Sequence, residues 1–241
     1  MKDKTLIYWD VGGVLLELNY GGLYQKGADL TNTTFEGFKK TYLNSNLEID
    51  SLSGKISDAD YQTRLKAMLG NPDMTREELE DFVKSGWGTE MTDVVDLKER
   101  AHFQGGVGTG IFSNNNDFAY NYLSRTYPRM LQTFDPRDLV VSSHIVGATK
   151  PDLKMYQSGE RKAKIAGYNK VILIEDKPKY LEPGINQFGW YGIHLTINQD
   201  PQEAIKAEVG HTGEVEELDN LYVANSVEEL EDTLKQLGVR L

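Results

Sequence analysis

Three short runs of β-forming apolar residues, each cut off by a polar cluster, constrain this chain more than any other feature. Thr5-Leu6-Ile7-Tyr8-Trp9 stops at Asp10 and Gly12-Gly13. Val107 to Phe112 stops at Ser113-Asn114-Asn115-Asn116, and Lys170-Val171-Ile172-Leu173-Ile174 stops at Glu175-Asp176. Runs that are continuous rather than alternating suit strands buried on both faces, as in a parallel sheet covered by helices. Helical patterns separate them: Asp117 to Leu123, then Leu153 to Ala166 with Gly167 as its C-cap. Leu139 to Val141, Trp190 to Thr196 and Leu221 to Val223 read as further strands, and Ser226 caps a last helix through Leu237. Strands alternating with helices predict an α/β fold with a doubly wound, Rossmann-like parallel sheet.

One segment departs from this pattern. From about residue 20 to residue 104 apolar residues recur at helical spacing, as in Tyr61, Leu65 and Met68, or Leu79, Phe82 and Val83. Ser57-Asp58-Ala59-Asp60 reads as a helix start, and Thr75 with Glu78 as a capping box. The expected organisation is a core of residues 1–18 and 105–241, with a small all-helical cap, residues 19–104, inserted after the first strand. Gln199 to Asn220 is polar and carries no clear pattern.

Composition narrows the function. The chain has 241 residues and no cysteine, so disulfides and thiol catalysis are excluded. A net charge of −11 speaks against nucleic acid as a partner. No apolar run is long enough to span a bilayer. Met1-Lys2-Asp3-Lys4 leads into an apolar run too short for an export signal, so a cytoplasmic location and a small-molecule partner are the expectation. Oligomeric state is not expressed in the sequence.

In an open parallel sheet the carboxyl ends of the strands form one edge, and ligands bind there. Asp10, Ser113-Asn114 and Glu175-Asp176 should therefore meet, although each alone has an ordinary reading as a helix cap or a turn. Taken together and in order, they resemble a known family. Asp10-Val11-Gly12-Gly13-Val14-Leu15 resembles the nucleophile loop of the haloacid dehalogenase (HAD) superfamily, and Ile111-Phe112-Ser113-Asn114 its second motif. Ser142-Ser143 and Gly147-Ala148-Thr149-Lys150-Pro151-Asp152, with Tyr156, resemble the third; Ile172-Leu173-Ile174-Glu175-Asp176 resembles the acidic fourth. The form of the first motif is similar to the branch holding glucose-1-phosphate phosphatases and the N-terminal phosphatase domain of epoxide hydrolases.

The resemblance implies a phosphatase acting on small phosphate monoesters, such as sugar phosphates. Asp10 would attack phosphorus and form an aspartyl-phosphate that water cleaves. Mg2+ would be held by Asp10, the Gly12 carbonyl, Glu175 and Asp176. Lys150 would neutralise nucleophile and phosphoryl oxygen, while Ser113 and the amides of Asn114, Gly12 and Gly13 bind the remaining oxygens. Tyr20, Tyr24, Lys26 and Arg64 are cap residues that could face the site, with Trp87 at the cap hinge. His144, near the third motif, has no assigned role.

One departure matters. Many phosphatases of this superfamily carry a second aspartate two residues after the nucleophile, as general acid and base; here Gly12 holds that position. Such catalysis is typically worth about 10²–10⁴-fold. Alternatives follow: a phosphotransferase or mutase using the same intermediate, a metal-independent dehalogenase, or a non-catalytic regulatory protein. The retained charges at Asp10, Lys150, Glu175 and Asp176 speak against the last.

Overall fold

A computed structural model describes residues 4–134, 139–197 and 219–241. Most of the unpatterned stretch from Gln199 to Asn220 lies outside the described residues. Six parallel strands make one sheet: β1 (Thr5–Trp9), β4 (Gly108–Ser113), β5 (Val140–Ser142), β6 (Lys170–Glu175), β7 (Tyr191–Leu195) and β8 (Leu221–Ala224), in the order β5-β4-β1-β6-β7-β8. The chain builds outward from β1 to one edge, returns, and builds to the other. β1 is therefore central, with Trp9 beside Ile111 of β4 and Ile174 of β6.

Both faces of β1 are covered, which is why its sequence does not alternate. Ile7 and Trp9 join one apolar cluster with Ile111, Ile172, Ile174 and Ile193. Leu6 and Tyr8 join another with Phe112, Val141, Leu173 and Trp190. The second face is covered by α10 (Leu153–Ile165), whose Gly159 carbonyl accepts a hydrogen bond of 2.9 Å from the Tyr8 hydroxyl. The last helix, α12 (Val227–Gln236), packs Leu230 and Leu234 on the first face and is capped by Ser226 as expected.

The insert consists of α1 (Tyr20–Thr31), α2 (Phe35–Asn44), α3 (Leu47–Leu52), α4 (Asp58–Met68) and α5 (Arg76–Lys84). They enclose a further cluster with Leu23, Phe38, Tyr42, Tyr61, Leu65, Leu79 and Phe82, to which the helix after β4 adds Phe118. Ser57 caps α4, and the Thr75–Glu78 capping box opens α5, as the sequence predicts.

Two features differ from expectation. β2 (Leu16–Leu18) and β3 (Trp87–Glu90) form an antiparallel ribbon at the neck of the insert, with Leu18 opposite Trp87. Strands this short have no readable period, and their partners lie far apart in sequence. Helix α6 (Thr92–Phe103) sends Val94, Val95, Leu97 and Ala101 into the sheet cluster. It thus packs with the sheet, although the sequence groups it with the expected cap, residues 19–104. Helical periodicity shows that α6 has an apolar face but not which neighbour covers it.

Fully buried Lys98 on α6 donates to the carbonyls of Arg129 (2.9 Å) and Gln132 (2.6 Å). Burial lowers its pKa from 10.5 to about 8, against the opposing pull of Glu99. Between those values the unfolded chain binds the proton more tightly, so this group makes stability rise as pH increases from about 8 to 10.5. Urea denaturation across that range should show a flatter stability–pH curve for Lys98→Met than for the wild type. Identical slopes would count against the shifted lysine.

Candidate active site

The loop after β1 turns sharply. The amides of Leu15 and Leu16 both donate to the Val11 carbonyl at 2.9 Å, and the Gly13 amide donates to Leu16 at 2.8 Å. Gly13 has φ +81, and a Cβ there would collide with the Asp176 carboxylate. Only glycine lets this loop lie directly against the acidic pair. Gly12 is different: its φ is not left-handed, and a Cβ would meet only the Leu18 side chain, at 3.0 Å.

Asp10 is anchored by its own amide, which donates to Ile174 of β6 at 3.0 Å. Its carboxylate lies 3.0 Å from the Lys150 ammonium, which also bonds Glu175 Oε2 and donates to the Phe112 carbonyl at 3.2 Å. Lys150 is 3% exposed, Asp10 7% and Glu175 0%, so these charges interact with little water between them. Carboxylate oxygens of Asp10, Glu175 and Asp176 lie within 4.8 Å of one another.

The backbone of Lys150 is held by Asn114. Its Oδ1 accepts from the Lys150 amide at 2.7 Å, and its Nδ2 donates to the Lys150 carbonyl at 3.4 Å. The Asn114 side chain therefore positions the lysine. Ser113 is 3% exposed and lines the pocket beside Asp10. Ser143 ties the third motif to the second, accepting from the Asn115 amide at 2.9 Å and donating to its carbonyl at 3.0 Å. Tyr156 is core, its hydroxyl donating to the Tyr180 carbonyl. His144 sits beside this seam, with Nδ1 2.9 Å from both Ser142 Oγ and the Asn115 carbonyl.

Electrostatics follow from burial. Desolvation opposes the charge on Lys150, but Asp10 and Glu175 outweigh it and raise its pKa, keeping it an ammonium. Burial, then the Asp10 charge, pushes Glu175 well above the usual carboxylate range despite Lys150. Three carboxyls converge here with two ammonium groups, those of Lys150 and the half-buried Lys177. That leaves one negative charge in excess, so the cluster needs a proton or a cation. Its donors are all hard oxygens, which suits a hard divalent ion such as Mg2+.

A cavity of about 200 Å³ opens above this floor. From the core it is lined by Asp10, Gly12, Ser113, Asn114, Lys150 and Lys177, and from the insert and neck by Tyr20, Tyr42, Glu48, Tyr61 and Trp87. Of the cap residues singled out from sequence, Tyr20 and Trp87 face the cavity. Tyr24 is buried in the cap cluster, Lys26 pairs with Asp81, and Arg64 is exposed. Lys177 and Glu48 were missed. Lys177 follows the β6 acidic pair directly, and that strand-end position was its readable signal. Glu48 sits on a six-residue helix and carries no sequence signal.

No protein-family model and no curated protein sequence matches the chain. Solved structures do. A HAD-family enzyme from Bacteroides thetaiotaomicron, in complex with magnesium and inorganic phosphate, superposes with a TM-score of 0.66 at 17% identity. The match covers 84% of this chain and 99% of that one. L-2-haloacid dehalogenase from Xanthobacter autotrophicus, with chloropropionic acid covalently bound, gives 0.61 at 15% identity over 97% and 99%. The putative HAD-hydrolase YfnB from Bacillus subtilis, bound to magnesium, gives 0.58 at 17% over 97% and 99%. The chain therefore has the fold of HAD enzymes.

Removing the lysine would leave the buried Asp10 carboxylate without its counter-charge. Lys150→Met should lower stability in chelator by about 3–5 kcal/mol, measured by urea denaturation near pH 7. A loss under about 1 kcal/mol, the level of a surface ion pair, would contradict the buried-pair account.

Proposed function

We propose that this chain is a magnesium-dependent phosphohydrolase that attacks small phosphate monoesters with the carboxylate of Asp10. The observation that carries this reading is the convergence of Asp10, Lys150, Glu175 and Asp176, with Asp10 and Lys150 lining one cavity. The magnesium and phosphate bound by a structure of the same fold support it.

In this reading the phosphate sits over Asp10, its oxygens bound by Lys150, Ser113 and the amides of Gly12, Gly13 and Asn114. The Asp10 carboxylate forms a bond to phosphorus as the bond to the leaving-group oxygen breaks. Water then attacks the aspartyl-phosphate and releases inorganic phosphate and free Asp10. Asn114 keeps Lys150 in place through both steps. Asp10, Glu175 and Asp176 would hold the ion together with the Gly12 carbonyl, and when bound it would offset the repulsion between nucleophile and phosphate.

An L-2-haloacid dehalogenase shares the fold. The cluster of Asp10, Glu175 and Asp176 favours the metal-dependent reading instead, because it offers a divalent cation three hard oxygen ligands within 4.8 Å of one another. Transfer of the phosphoryl group to a second substrate would use the same first step.

Asp10→Asn and excess EDTA should each abolish hydrolysis of an aryl phosphate. Full activity of the folded Asn variant would remove the nucleophile assignment, and full activity in EDTA the metal requirement.

Gly12 generates a further expectation. With no acid at this position the leaving group departs carrying more charge. A plot of log kcat against leaving-group pKa should slope steeply downward when the first step is rate-limiting. Gly12→Asp should flatten it, and the backbone admits the change, since a Cβ there has the flexible Leu18 side chain as its nearest neighbour. A flat wild-type plot would mean that another residue already supplies the proton.

A further inference from the structure

The cavity has a floor that handles phosphate and a roof that nothing above explains. The roof hydroxyls of Tyr42 and Tyr61 are engaged with each other, and Tyr61 also with Asn116. Glu48 is unlike them. It lines the cavity and is half-buried, yet among the described residues its carboxylate takes part in no hydrogen bond or ion pair. Burial raises its pKa, and Lys177 opposes the rise only in part. A half-buried carboxyl with no partner is costly, and a ligand that donates a hydrogen bond to it removes that cost.

Lys177, across the cavity, does not compete for this role. Its ammonium rests 5.7 Å from the Tyr180 ring centre and forms no ion pair with Glu48. Burial disfavours its charge, but Asp176 leads the groups that hold it, so it acts as counter-charge to the acidic floor. An anionic group at the roof would instead face Glu48, with Asp10 and Asp176 below.

We infer that Glu48 is a specificity-determining residue that accepts hydrogen bonds from the leaving group. The cavity then selects monoesters whose far end carries hydroxyl or ammonium donors over those carrying a second phosphate or carboxylate. The inference rests on the phosphohydrolase reading and extends it to the other half of the substrate. Charge repulsion at the roof provides rejection, and the unpartnered acceptor provides attraction.

The test compares wild type, Glu48→Gln and Glu48→Leu on four substrates with magnesium: a sugar 1-phosphate, an amino-alcohol phosphate, a sugar bisphosphate and acetyl phosphate. Acetyl phosphate has a leaving group with no hydroxyl or ammonium donor to offer Glu48 and serves as the reference for each variant. Relative to it, Glu48→Leu should lower kcat/KM for the sugar and amino-alcohol esters by about tenfold or more, mainly through KM. Its discrimination against the bisphosphate should weaken by a similar factor.

Glu48→Gln keeps a carbonyl acceptor without the charge. Sugar ester retained and amino-alcohol ester lost would identify ammonium as the preferred donor; both retained would identify hydroxyl. Ratios within twofold of wild type in both folded variants would overturn the inference while leaving the phosphohydrolase reading intact. A wild type that hydrolyses none of the four, acetyl phosphate included, would overturn both.

Discussion

The structure is organised around one buried ammonium. Lys150 lies between Asp10 and Glu175, with almost no exposure to water; the two carboxyls come from the ends of β1 and β6, and the lysine from the loop that leads into α10. None of these charges could be buried alone, because the cost of desolvating an unpaired ion is several kcal/mol at least. β1 and β6 must therefore end side by side. The sheet order sets the spacing: β1 lies between β4 and β6, which places Asp10 next to both Ser113 and Glu175.

Around this point, polar side chains are spent on holding the backbone. Asn114 grips the amide and carbonyl of Lys150, and Ser143 grips those of Asn115. His194 of β7 donates from Nε2 to the Asp176 carbonyl at 3.1 Å, and burial keeps its pKa low and the ring neutral. The clustered charged groups are thus fixed by neighbours outside the cluster. Such support makes a site rigid before any ligand arrives.

The sheet and its polar edge were legible in the sequence because both follow from local rules. A strand covered on both faces must read as a continuous apolar run, and Lys170 to Ile174 does. A helix that begins in a capping box must show Thr75 and Glu78 three apart. The roof of the cavity obeys no such rule. Tyr20 could be suspected, but Glu48 becomes notable only when folding brings it near Lys177, 129 positions further along the chain. Nor could periodicity say that α6 belongs with the sheet, or that Trp87 would pair with Leu18. Asn114 was read for its amide, whereas its side chain turned out to hold the lysine. Partner choice over long sequence distance is the information a single sequence does not display.

The ribbon at the neck has a topological consequence. Leu18 and Trp87 are paired across it, and the Asn19 amide donates to the Gly86 carbonyl at 2.8 Å. The chain therefore leaves for the insert and comes back at the same place, about 5 Å apart, the spacing of adjacent strands. Everything between these residues forms a closed excursion whose ends are already joined by hydrogen bonds. The sheet imposes no length, shape or fold on what lies between, so long as the two ends arrive side by side. Such a junction is a socket. A different roof could be joined there without moving a strand below, so the upper lining of the cavity is exchangeable independently of its floor.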